Sequence, residues 1–485
     1  MYIRLSIINL GFSRPFASPV YRPVFRCLPS YPEWQRIPSE TILEPTTTNQ
    51  YKFTWSFEAL SSDSEHFFAY STPYPYNDII QNISLFEKMC PYDSIFHREL
   101  LTRSLDGRDV ELITISNKNN FSFDREEKIP GLFLANGLRA YKSIKPIIFI
   151  SARVHPGETP ASFLLDGILL TVLANDSRGA ALRNNFVFKI VPVLNPDGVF
   201  RGNFRLDQNG FNLNRYYLDP SPYTQPTIYA VKNYFISLNN VKYYFDLHSH
   251  HSKRSCFLFG NFLGYERQLE NQIFAKLVEL NTQYFEFNEC DFSEKSMSSK
   301  DPKDQHSKEG SGRVALFNST GLIHTYTIEC SYYMHRPLHT LAQSMSSKSG
   351  KRFTEPTFNT TFLIPVHNRS FFNDVAVGLL LASLDLENCN PTSRIPLSEF
   401  RTLDSIKDYL KARNFIQNRM LTKNLFRNDP NKNEKFIEKN TLPKLPLRKI
   451  HKLNIISPNF NPVPQTLYQK PKAVLAARGK SLMRE

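Results

Sequence analysis

The sequence predicts an α/β fold built on a largely parallel or mixed sheet, and three observations carry that expectation. From residue 75 to about 390, apolar runs of strand length alternate with apolar stretches of helix length. Some of the strand-length runs, such as Ile147-Ile148-Phe149-Ile150, are apolar at every position, as strands covered on both faces are. Polar residues capable of chemistry, His155, Asn195, His248 and Glu329, fall at or just past the C-terminal ends of such runs. Ligands of open α/β sheets bind there.

The elements follow in order. Residues 1–76 read as β structure, with strands over 5–8 and 51–57 and turn-rich pieces at 16–19 and 44–46. This segment looks too short to close a sandwich and begins inside a strand. A helix is expected over 76–88, with Ile79, Ile80, Ile83 and Leu85 on its apolar side. Strands over 99–104 and 110–116 flank Asp106-Gly107, a hairpin signal, and 117–130 reads as a polar loop. Strands are then expected over 147–154, 186–194, 241–247 and 322–329, and helices over 161–174, 271–281 and 375–386. A Ser/Lys-rich surface loop occupies 338–360, a charged helix 400–427, and a disordered tail 428–485. The predicted division is a β domain over 1–76, an α/β domain over 77–393 and a basic, largely disordered tail over 394–485.

Composition excludes several classes. Of 485 residues, 41% are hydrophobic and 13% aromatic, values of a folded chain, and no run reaches the length of a membrane span. Residues 1–10 lack the cleavage site of a secretory signal and read as a strand. The net charge is +14, but residues 396–485 hold 19 Lys and Arg against 7 Asp and Glu, so 12 of the surplus charges lie in the tail. The basic character is therefore no sign of a nucleic-acid-binding body. Six scattered cysteines without a C-x-x-C suggest free thiols in a reducing compartment.

The chemistry begins at His155-Pro156-Gly157-Glu158, directly after a strand. Imidazole and carboxylate are ordinary zinc ligands, although a helix-capping Glu beside a surface His has the same spacing. His248 at the next strand end completes a His2Glu set that leaves one position open, as catalytic zinc sites do, with His250 and His251 as rivals. No H-E-x-x-H is present. Glu329 closes an otherwise uncharged strand, and a carboxylate there is costly to bury unless it is used or paired to an arginine. Arg205, Asn214 and Arg215 lie in the stretch after Asn195-Pro196-Asp197-Gly198, and arginine forks suit a substrate with free carboxylates, although each alone could be a surface residue.

In this order, His155-Pro156-Gly157-Glu158, Asn195-Pro196-Asp197-Gly198, Asn212-Leu213-Asn214-Arg215, Asp246-Leu247-His248 and Tyr326-Thr327-Ile328-Glu329 resemble the zinc metallocarboxypeptidases. The chain is more narrowly similar to the cytosolic carboxypeptidases, through 153–160, 292–295, 307–315 and 387–391. The resemblance covers roughly residues 1–393 and implies a zinc-carboxypeptidase domain preceded by a partial β-sandwich that lacks its first strands. It implies that His155, Glu158 and His248 bind one Zn2+ and that Glu329 is the general base. Arg205 would stabilise the oxyanion, and Asn214 and Arg215 would hold the terminal carboxylate. Arg313, sixteen residues before Glu329, would face the terminal side chain, with Lys308 as the substitute. The tyrosine that closes over substrate in digestive carboxypeptidases has no clear counterpart.

The function the resemblance implies is release of glutamate from polyglutamylated proteins, tubulin above all, including the γ-linked branch-point glutamate. The expected protein is a cytoplasmic monomer, associated with microtubules or cilia and with a nuclear fraction, without membrane or nucleic-acid partners. Two other classes fit part of the pattern: a catalytically inactive tubulin-binding protein, and a zinc amidohydrolase acting on small N-acyl amino acids.

Overall fold

Strands β1 (Tyr2–Leu10), β2 (Val24–Leu28), β3 (Tyr31–Arg36), β4 (Thr41–Pro45), β5 (Tyr51–Glu58) and β6 (Glu65–Ala69) form two three-stranded antiparallel sheets. Their orders are β1-β5-β4 and β3-β2-β6. The computed structural model describes residues 2–427 except 11–15, 17, 19–20, 48–49, 60–62, 120, 134–136, 254, 265–266, 302–304, 334 and 346–368, with side chains to residue 416. The tail from 428, most of the 338–360 loop and part of the turn at 16–19 thus lie outside the described residues. Trp55 and Phe57 of β5 meet Phe68 of β6 with ring centroids 5.9 and 4.7 Å apart, which clasps one sheet to the other. The segment was expected to be too short to close. Among the described residues the two sheets stay open, and aromatic bulk, with Tyr21 and Phe53 also buried, fills the small core they share.

Helix α1 (Tyr76–Lys88) occupies the expected residues and buries Ile79, Ile83 and Phe86. β7 (Ser94–Arg103) and β8 (Asp109–Asn117) form the hairpin across Asp106-Gly107, where Gly107 supplies a φ of 80°. The expected loop at 117–130 instead contains β9 (Phe121–Arg125), paired with β10 (Tyr141–Ser143). This ribbon stays largely exposed on both sides, so its sequence carries no apolar alternation.

The remaining elements are β11 (Ile147–Ala152), α2 (Thr159–Leu173), α3 (Ser177–Asn185), β12 (Val187–Val191), α4 (Pro196–Phe200), α5 (Pro226–Ser237), β13 (Val241–His250), β14 (Cys256–Phe259), α6 (Leu269–Asn281), α7 (Glu294–Ser298), α8 (Gly312–Thr320), β15 (Thr325–Ser331), α9 (Arg369–Leu386) and α10 (Leu403–Arg427). The central sheet has seven strands in the order β14-β15-β13-β11-β12-β8-β7. Its middle four strands are parallel, and both margins are antiparallel.

Side chains alternate across this sheet with period two. Ile148 and Ile150 of β11, Tyr243, Phe245 and Leu247 of β13, and Tyr326 and Ile328 of β15 pack into one core with α2, α6 and α9. Phe149 and Tyr244 point the other way, into a core with α5 and α8. Each such fully buried Leu, Ile or Phe contributes about 1.5–3 kcal/mol. Helix α2 can lie close on α9 because Gly167 has no side chain: a Cβ there would sit 3.0 Å from the Cβ of Ala376. The charged helix expected at 400–427 is present as α10, but Ile406 and Leu410 are buried in the main core, and Asn414 donates to Gln272 of α6 at 2.7 Å. The folded unit therefore reaches past residue 393. Among the described residues, no helix is long and apolar enough to cross a membrane.

Candidate metal and catalytic site

The turn after β11 is built by Arg153, whose φ of 57° reverses the chain. Its buried guanidinium holds the turn from inside. Nε and Nη2 donate to the carbonyl of Pro156 at 3.0 and 2.6 Å, and Nη1 donates to Ser162 Oγ at 2.8 Å. Gly157 follows because the backbone of Phe204 lies against it: its N–H donates to Phe204 O at 2.7 Å, and a Cβ would stand 2.7 Å from that oxygen. Tyr332 ties the same peptide from the far side, donating to Gly157 O at 3.1 Å. The β domain braces this corner: Tyr70 packs on Phe204 and Tyr332 with ring centroids 5.6 and 5.3 Å away.

His155 and Glu158 emerge from this turn, and β13 delivers His248 beside them. Their ligand atoms lie within 4.8 Å of one another, and all three residues are buried. His155 Nδ1 is 2.8 Å from Glu158 Oε1, and His248 Nδ1 is 2.9 Å from Oε2. The opposite ring nitrogens are already engaged: Nε2 of His155 with Asn212 Oδ1 at 3.1 Å, and Nε2 of His248 with Asp246 Oδ2 at 3.0 Å. Outer partners of this kind set the tautomer and leave the other nitrogen for a metal. Burial pushes His155 down to about 4, so it is neutral and ligand-competent at pH 7. Burial also opposes a charge on His248, but Asp246 and Glu158 outweigh it and hold its pKa well above the usual value. A cation entering here would release that proton. The set fits zinc: nitrogen and carboxylate donors converge, and two imidazoles are pre-oriented.

Glu329 lies on β15 opposite His248 of β13 in the strand register, so the sheet places the candidate base and the candidate ligand side by side. The residue keeps some exposure, while its Oε2 is buried without a hydrogen-bond partner. Burial first, with Glu158 adding to it against the pull of His248, raises its pKa to about 7. A carboxyl group poised there can both take and return a proton at neutral pH. No arginine forms an ion pair with it among the described residues.

The stretch after α4 brings the other candidates. Arg205 Nη1 stands 3.5 Å from His155 Nδ1 and 4.0 Å from Glu158 Oε1. Asn214 reaches His248 Nε2 at 3.3 Å and accepts from the Gly312 N–H at 3.0 Å. Arg215 donates to the carbonyl of Asn214 at 2.7 Å and to Asp301 Oδ2 at 2.9 Å. Arg313 is buried, with Nη1 on Gly260 O and Asn261 Oδ1, both at 2.6 Å, and Nη2 on Ser296 O at 3.1 Å. Its fork is thus held by the protein, and what it offers a ligand is charge. Lys308 is half-buried, and its pKa is lowered by burial and by the charges of Arg215 and Arg313. The rival His250 binds the carbonyl of Ser255 at 3.1 Å and is not in the ligand group.

Three residues that touch this machinery had no role in the sequence reading. Asp246 was detectable, since it stands two positions before His248 on one strand and shares its face. Asn212 had only its place in the motif as a signal. Asp301, which pairs with both Arg205 and Arg215, had none.

The description "zinc carboxypeptidase" belongs to a family model that matches residues 83–331. Cytosolic carboxypeptidase-like protein 5 of Rattus norvegicus is 33% identical over 84% of this chain and 61% of its own length. Cytosolic carboxypeptidase 6 of Mus musculus is 33% identical over 63% of this chain and 53% of its own. The chain thus spans little more than half the length of these relatives. The crystal structure of a metallo-carboxypeptidase from Burkholderia cenocepacia shares the fold, with a TM-score of 0.56 at 18% identity over 80% of this chain and 86% of the other. With the His-Glu-His group, the glutamate of β15 beside it and the mixed seven-stranded sheet in one chain, the protein belongs to the zinc carboxypeptidase family, in its cytosolic carboxypeptidase branch.

Proposed function

We propose that this chain is a zinc metallocarboxypeptidase that releases glutamate from polyglutamylated protein tails, tubulin among them, including the γ-linked glutamate at a branch point. The observation that carries the reading is the convergence of His155, Glu158 and His248 with an unpaired Glu329 oxygen, beside the cations Arg205 and Arg215. Arg313 and Lys308 add positive charge toward the same region, which suits an acidic chain end. The family resemblance supplies the glutamate and tubulin part and the cytoplasmic setting.

His155, Glu158 and His248 would hold one zinc ion. When bound, it acts as a Lewis acid on the scissile carbonyl and lowers the pKa of water. Arg215 and Asn214 hold the terminal carboxylate of the substrate. Glu329 accepts a proton from water as the water oxygen attacks the peptide or isopeptide carbon. Arg205 donates hydrogen bonds to the oxyanion that forms, worth about 3–4 kcal/mol in comparable sites. As the C–N bond breaks, Glu329 returns the proton to the leaving amine, giving a shortened chain and free glutamate.

The test is to incubate the zinc-loaded chain with peptides ending in α-linked or γ-linked glutamate and to quantify free glutamate with and without chelator. Chelator-sensitive release from the γ-linked peptide is expected. A metal-loaded protein that frees glutamate from neither peptide would overturn the reading.

A further inference from the structure

Asp301 stands where the proposed reading puts a substrate carboxylate. One of its oxygens, Oδ2, lies 2.9 Å from Arg215 Nη2 and 3.6 Å from Arg205 Nη2. These are the two cations assigned to the terminal carboxylate and to the oxyanion. Asp301 is nearly buried and is pinned by its backbone: its N–H donates to His306 O at 2.9 Å, and its carbonyl accepts from Gln305 N at 2.8 Å. The neighbouring Lys300 and Ser307 form a β-bridge. The backbone of Asp301 is thus fixed beside the arginines, while its side chain keeps its own rotation.

The arginines do not depend on it equally. Arg215 also donates to Asn214 O at 2.7 Å, a bond within its own turn that survives without Asp301. The distance from Asp301 to Arg205 exceeds that of a hydrogen bond, so there the contact is charge alone. The geometry is that of an occupant more than of a scaffold. It neutralises two neighbouring, partly buried guanidinium groups, and a carboxylate that takes its place keeps them paired, so the exchange leaves no buried charge uncompensated.

We propose that Asp301 is an internal carboxylate ligand of the substrate-carboxylate site, displaced from Arg215 and Arg205 when an acidic chain end binds and restored when free glutamate leaves. This rests on the assignment of Arg215 to the substrate carboxylate. Displacement is required of substrate and transition state alike, so Asp301 sets KM and product affinity more than kcat. It also keeps the arginines from being held by small anions.

The experiment uses the full zinc-loaded chain and two readouts: the inhibition constant of free L-glutamate, and KM and kcat on a peptide with γ-linked glutamate. Asp301→Asn is expected to bind glutamate roughly five-fold tighter and to lower KM by a similar factor, with kcat moving less. Asp301→Ala, read the same way, covers a residual bond from the Asn amide to Arg215, and melting curves confirm folding. Unchanged or weaker glutamate binding in both variants, or a raised KM, overturns the proposal and makes Asp301 a residue that orients the arginines. Arg215→Gln separates the underlying assignment: glutamate binding equal to that of the unmodified chain would overturn the carboxylate site and the proposal with it, whereas loss of binding leaves the Asp301 variants to decide.

Discussion

The two faces of the central sheet are made by the same strands and do different work. On β13, Tyr243, Phe245 and Leu247 enter the core under α2, α6 and α9, while Tyr244, Asp246 and His248 alternate toward the α5 and α8 side. On β15, Tyr326 and Ile328 join the first face, and Glu329 follows on the second. The first face stays apolar along the parallel strands as far as Leu247 of β13 and Ile328 of β15. The second begins apolar at Phe149 and Tyr244, turns polar at Ser151 and Asp246, and ends in His248 and Glu329. A continuous core on one side gives the strand ends on the other a rigid base, and rigid elements hold catalytic groups better than loops do. The buried Ser151 accordingly donates to Asp246 Oδ1 at 2.9 Å, holding the carboxylate that orients His248.

If the faces divide the labour in this way, changes on each should separate activity from stability. The largest effect is expected from Glu329→Gln, with glutamate release lowered about 10²–10⁴-fold while metal content is retained. Folding should not suffer. The raised pKa of Glu329 means the fold favours its protonated form, so the stability it contributes is fully present below about 4.5 and is lost as pH rises through about 7. The metal-free Gln variant should therefore gain on the unmodified chain above pH 7 in melting experiments and match it more closely near pH 5. A chain on which Glu329→Gln melts well below the original at both pH values would have a structural glutamate there.

The converse change is Phe245→Ala. Phe245 is fully buried and stacks on Phe274 at 5.5 Å, so truncation should cost about 3–5 kcal/mol of stability, read as a lowered melting temperature. Below the melting range, kcat on the protein that stays folded should change little. Asp246→Asn should fall between these two in kind and below them in size. It leaves the apolar face intact but loosens the orientation of His248, so zinc affinity measured by chelator competition should drop about 10–100-fold with little loss of folding. Unchanged zinc affinity would mean that strand geometry alone sets the imidazole.

Much of this was readable in advance because alternation along a strand is local information. The all-apolar run at 147–150 announced a strand covered on both faces, and the polar residue closing each run marked the edge where ligands bind. The order of the five motifs then pointed to His155, Glu158, His248 and Glu329 without a coordinate. The ribbon at 121–125 was missed for the opposite reason: a strand that buries neither face has no pattern to read. Helix α10 was visible as a helix, but its contact with α6 was not, because a pair such as Ile406 and Leu410 in a charged segment says nothing about its partner.

By itself the sequence determined the order of the central strands along the chain, the candidate His-Glu-His group and the family, since each rests on residues close together in the chain or on a motif order. It set the ends of β13 and β15 too early, because the strands run on past His248 to His250 and past Glu329 to Ser331. Only the tertiary structure decided how those ends meet. The order β15-β13-β11 puts Glu329 beside His248 and both near His155, although 174 positions separate His155 from Glu329. The same folding brings Asn212 to the ring of His155 and sets Asp301 against Arg205 and Arg215. Such pairings follow from where loops from different strands converge, and chain separation carries no trace of that.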